Sequence, residues 1–98
     1  MQSTNKKPDA YAASQDAAWA ASQHAAKLSM AARDPAIQND EAKHLEANYE
    51  AAHAHKEAAA LHRKAGDRSR ARFHMDDYRA HLNRVENWSP RAGLGGVR

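Results

Sequence analysis

The stretch His44–Leu82, HLEANYEAAHAHKEAAALHRKAGDRSRARFHMDDYRAHL, decides the fold of this chain. It holds a single glycine, Gly66, followed at once by Asp67. Glycine most readily takes the left-handed conformation that closes a helix, and aspartate is a favoured helix N-cap. Gly66-Asp67 therefore reads as a tight turn between two helices. At about 100° per residue, the segment before it places Ala47, Ala51, Ala54, Ala58, Leu61 and Ala65 on one stripe. Leu45, Ala52 and Ala59 form a second stripe, with His44, His55 and His62 between the two. Lys43, Glu46, Glu50, His53, Glu57 and Lys64 share the charged side. After the turn, Ala71, Met75, Tyr78, Leu82, Val85 and Trp88 make one apolar arc, edged by His74 and His81.

Outward from this hairpin, Ser89-Pro90 ends the last helix, and RAGLGGVR has the glycine content of a flexible tail. On the other side Arg33-Asp34-Pro35 interrupts the chain. Proline disfavours helical geometry in the residue before it, and Asp34 can cap a helix that has Pro35 in its first turn. A start at Asn39 or Asp40 serves the second helix equally well. Upstream, a helix begins near Pro8 and places His24 beside Ala13, Ala17, Ala20, Leu28 and Ala31. The expectation is an all-α fold, an antiparallel three-helix bundle with long helices at about 9–32, 36–65 and 68–88. One domain, 9–88, would lie between a flexible N-terminal segment, 1–8, and a flexible C-terminal tail, 89–98.

The 98 residues leave room for one domain, and 24 of them are alanine, so the core is thin. Alanine faces let helices approach closely, and a partner or self-association is a natural way to complete burial. The absence of cysteine excludes disulfides, a thiolate nucleophile and cysteine-type zinc sites. No apolar run reaches membrane-spanning length, and no signal-type stretch follows Lys6 and Lys7, so a cytoplasmic location without a membrane partner is expected. A net charge of +3 suits nucleic acid or an acidic protein without singling out either.

AAALHRKAGDRSRARFHMDDYRAHL, Ala58–Leu82, resembles the helix–turn–helix hairpins of tetratricopeptide repeats. The helices are longer than that repeat allows and its Trp-Leu-Gly-Tyr pattern is missing, so the resemblance implies a helical hairpin and carries over no functional residue. The stretch is also similar to Ala/His-rich hairpins of bacterial and phage proteins.

Six of the seven histidines lie within His44–Leu82. Their facings suggest side chains filling gaps between alanine-rich helices, with only His53 fully solvated. A metal would need ligands at i,i+3 or i,i+4 spacing, or ligands from different helices. His55/His62 and His74/His81 are each seven apart, which excludes the first arrangement. In the hairpin His55 should meet Asp77 or Tyr78, and His62 should meet Arg70, so no metal site or cofactor is expected. No phosphate loop, nucleophile elbow or HExxH motif is present, and neither an enzyme nor a small-molecule substrate is expected.

Two features point to partners. Ala12, Trp19, Ala26 and Met30 form an apolar stripe on helix 1 opposite the His24 face, and Phe73 stands off the main arc of the last helix. Either this stripe is core and the alanines point outward, or it is left for another chain. Around the turn, Arg63, Lys64, Arg68, Arg70 and Arg72 form a basic cluster suited to carboxylates or phosphates. The expected function is a non-enzymatic protein–protein interaction or assembly module of adaptor or inhibitor type, of the kind phages and mobile elements encode, acting through helix faces and self-associating as a homo-oligomer. A nucleic-acid binder using the basic turn is the alternative, and a histidine-based metal-binding bundle the third.

Overall fold

The computed structural model describes the backbone of residues 2–88 and the side chains of residues 13–88. Four helices follow in order: α1 (Gln2–Ala31), α2 (Pro35–Gln38), α3 (Glu41–Lys64) and α4 (Arg68–Glu86). The three long helices form an all-α bundle. α1 starts at Gln2 rather than near Pro8, and the tail at 89–98 lies outside the described residues. The expected second helix is two pieces, because two aspartates each cap a start. Asp34 accepts from the Ala36 amide at 2.9 Å, and Asp40 accepts from the Lys43 amide at 3.1 Å. The Trp88 indole donates to the Gln38 carbonyl at 2.8 Å and ties the end of α4 to this break. No described helix is long and apolar enough to cross a membrane.

The Gly66 turn is built as the sequence demands. Gly66 sits at φ +86°; its amide donates to the Arg63 carbonyl at 3.0 Å, and the Asp67 amide donates to the His62 carbonyl at 2.8 Å. These two bonds are the Schellman closure of a helix. Asp67 then caps α4 by accepting from the Arg70 amide at 3.1 Å, and it also holds the Arg70 guanidinium at 2.6 Å.

α3 is the central rod. α1 and α4 each pack along it and touch one another far less. Its two alanine stripes explain why: Ala51, Ala54, Ala58 and Ala65 are buried from one stripe, and Ala52 and Ala59 from the other. A methyl group gives little area, at about 0.8 kcal/mol per buried carbon unit, but it lets backbones come close. Of the α4 arc, Ala71 is buried and Met75, Tyr78, Leu82, Val85 and Trp88 are half-buried.

Helix 1 does not follow either of its expected faces. Its buried alanines are Ala18 and Ala25, continued by Ala32 just past its end, with Ser22, Leu28 and Ser29 half-buried beside them. The face therefore falls between the two stripes. Ala13, Ala17, Ala20, His24 and Ala31 are exposed on one side, and Trp19, Ala26 and Met30 on the other. His24 joins His53 in solvent, a correction to its expected interior place. The reason is the hydroxyls: Ser22 and Ser29 look like surface residues in a sequence, yet each is drawn inward by two imidazoles.

Candidate functional site

The largest fully buried side chain is a polar one, Asn48. In line with it along the bundle interior lie His44, His55, His62 and His81, all buried, with His74 half-buried beside them. Three heptad pairs produce this spine: Ser22/Ser29 on α1, His55/His62 on α3 and His74/His81 on α4. Seven residues are close to two helical turns, so each pair repeats on one face and meets its counterparts in two layers.

In the first layer the Ser22 hydroxyl bridges His62 Nε2 at 2.6 Å and His74 Nε2 at 2.7 Å. In the second the Ser29 hydroxyl bridges His55 Nε2 at 2.7 Å and His81 Nε2 at 2.8 Å. His55 Nδ1 and His74 Nδ1, 2.8 Å apart, join the layers. The His62 and His74 rings stack with centroids 5.4 Å apart, and His55 stacks on His81 at 5.5 Å. His81 Nδ1 meets Asn48 Oδ1 at 2.7 Å, and the Asn48 amide donates to the His44 carbonyl at 2.9 Å. No buried side-chain nitrogen or oxygen among the described residues lacks a partner.

With every imidazole neutral, one proton arrangement satisfies the whole chain, and it can be read from the Asn48 end. Because the Asn48 amide nitrogen donates to the His44 carbonyl, its oxygen must accept from His81 Nδ1. His81 Nε2 is then bare and accepts the Ser29 hydroxyl proton, so His55 Nε2 donates to Ser29. That leaves His55 Nδ1 bare, and His74 Nδ1 donates to it. His74 Nε2 in turn accepts from Ser22, which accepts from His62 Nε2. Two hydroxyls, four imidazoles and one amide thus form a single directed hydrogen-bond chain. Such fully satisfied interior networks favour one packing register over others.

Neutral rings suit their surroundings. Burial pushes the His55 imidazole below its ordinary value of 6.5, against the opposing pull of the Asp77 carboxylate, whose Oδ2 lies 3.6 Å from His55 Nδ1. His74 is lowered by burial first and by its His55 and His62 neighbours next. His81 is pushed down to about 4, mainly by burial, with Arg84 and His55 adding to it.

The expected His55–Asp77 approach is therefore present, but His62 meets Ser22 and His74 rather than Arg70. Arg70 turns instead to Asp67 and lies over the Trp19 ring, 5.1 Å from its centroid. The turn cluster divides accordingly. Arg63, Arg68 and Arg72 surround one shallow hollow with Arg79, Arg70 faces α1, and Lys64 is exposed outside both groups. Among the described residues no carboxylate pairs with Arg63, Arg68 or Arg72.

The apolar residues named from sequence stay outside: Trp19 is 52% exposed, Met30 70% and Phe73 68%. Ala26 and Met30 line an open groove between α1 and α4, whose lining also includes His55, His74, Asp77, Arg33 and Arg84. Ala12 has no described side chain. The spine itself was missed in the sequence, although the shared seven-residue spacing of the serine and histidine pairs was there to be read. No family model, curated protein or solved structure matches the chain.

Proposed function

We propose that this chain is a small, non-enzymatic interaction and assembly module of the cytoplasm, acting through the α1–α4 groove, with a second copy of itself as the occupant. The exposed position of Met30 on that groove, with Trp19 and Phe73 also exposed on the same two helices, carries this reading. α1 and α4 both spend their inward faces on α3, so the trough between them can accept another helix as a fourth member of the bundle. The trough holds both signs of charge, Arg33 and Arg84 with Asp77, as a two-fold contact between identical surfaces requires. Adaptor or inhibitor roles follow if a different helical protein competes for the same trough.

Light scattering over a micromolar to millimolar range tests it. The expected result is a mass rising to that of a dimer, and a return to one chain in Trp19→Ser/Met30→Ser with unchanged helix content. A one-chain mass across the whole range would remove the proposal.

A second reading rests on Arg63, Arg68 and Arg72, which share a hollow, pair with no carboxylate among the described residues, and could take an acidic protein or nucleic acid. Nucleic-acid binding that weakens steeply with salt, and disappears in Arg68→Glu/Arg72→Glu, supports it. No binding to DNA or RNA at low salt eliminates the nucleic-acid form.

A further inference from the structure

We propose that His55 Nδ1, His74 Nδ1 and the Asp77 carboxylate form a binding site for one divalent transition-metal ion of the zinc class, with its open position facing the α1–α4 groove. The three side chains present ligand atoms within 4.8 Å of one another. Two of them, the Nδ1 atoms, are already 2.8 Å apart. A tetrahedral zinc with bonds of about 2.0–2.1 Å holds two ring nitrogens about 3.3 Å apart. The rings therefore need to part by about half an ångström. Asp77 Oδ2, 3.6 Å from His55 Nδ1, already stands near that separation. Asp77 has an exposed side chain and freedom to close on an ion, and all three residues line the groove by which an ion would enter.

The outer shell distinguishes this trio from a chance meeting of ligands. A metal-bound imidazole usually donates its other N–H to an oxygen that fixes the ring. Here the opposite nitrogen of each ring already has such a partner, Ser29 for His55 and Ser22 for His74. His55 needs no change, because its Nδ1 is bare and its Nε2 donates. His74 must move its proton from Nδ1 to Nε2 and donate it to Ser22. The Ser22 hydroxyl then rotates to donate to His62 Nε2, and His62 carries its proton on Nδ1. The Ser29, His81 and Asn48 half of the chain is untouched, and both serines and His74 keep their bonds. The metal therefore takes the place of one N–H···N hydrogen bond, with no net gain or loss of protons by the rings. The fourth position faces the groove, where water or a side chain from an occupant can complete the tetrahedron. The site stands whether or not the groove takes a second copy.

The test uses the full chain without an affinity tag, with His24→Ala and His53→Ala to remove the two exposed imidazoles. Cobalt(II) is the probe, followed by its visible ligand-field bands, with displacement by zinc. The expected result is one ion per chain with a tetrahedral spectrum. Asp77→Asn, at an exposed position that leaves the fold intact, should weaken binding at least tenfold, as should His74→Gln. Ser22→Ala should weaken it by roughly ten- to a hundredfold through loss of the ring's outer partner. Absence of a tetrahedral spectrum at millimolar cobalt, or an unchanged affinity in Asp77→Asn, would overturn the site; circular dichroism confirms that each variant is folded.

Discussion

The interior of this bundle and its rim exchange the usual roles. Inside, Asn48, His44, His55, His62 and His81 lie buried among alanines; outside, Trp19, Met30 and Phe73 hold much of their apolar surface in solvent. The difference teaches that the two regions hold the molecule together in different ways. The interior gives close approach through methyl groups and a fixed register through directed hydrogen bonds. The rim contributes little to the fold and leaves its apolar area in solvent. Hydrophobic burial is non-directional, whereas a chain of neutral imidazoles tolerates one alignment of donors and acceptors.

The sharpest way to break the interior side of this contrast is acid. The folded values of His55, His74 and His81 lie below 6.5, so the unfolded chain binds more protons once the pH falls below that value. The stability they confer is complete above about pH 6.5 and is lost as the pH drops toward about 4, the folded value of His81. His81 alone amounts to on the order of 3 kcal/mol at full loss. Thermal melts from pH 7.5 to 4 should show a steep fall in Tm, and a flat profile would contradict neutral buried rings.

Next in size is Asn48→Ala, which strands His81 Nδ1 and leaves a cavity, with an expected loss of about 2–4 kcal/mol in denaturant unfolding. Ser29→Ala should cost about 1–3 kcal/mol, and more than Ser22→Ala. Ser29 joins two buried rings, while Ser22 joins a buried one to the half-buried His74. Equal losses would show that burial does not set the strength of these bridges. Gly66→Ala puts a side chain at φ +86° with open space around it, so backbone strain of about 1 kcal/mol is its whole effect. The smallest change in stability, within about 0.5 kcal/mol, is expected for Met30→Ala on the rim. Its consequence should instead appear in self-association.

Much of the fold was legible because it rests on local physics. Gly66-Asp67 marks the turn, since only a left-handed residue followed by a capping side chain ends one helix and begins another so abruptly. The two stripes of α3 and the arc of α4 follow from helical period alone, and they place His44, His55 and His62 inside without any tertiary information. The His55–Asp77 approach follows from counting along an antiparallel hairpin.

Tertiary structure decided what the third helix does. On α1 both sequence stripes are apolar enough to be core, and periodicity cannot choose between them. The choice fell between them because Ser22 and Ser29 find two imidazoles each, and a buried ring nitrogen without a partner is more expensive than an exposed methionine. The histidine pairs, seven residues apart, could not share a ligand or a proton along one helix. Placed opposite one another on three helices they do, because register between helices depends on which polar atoms can satisfy each other, a property of pairs in space that no single stretch of chain contains.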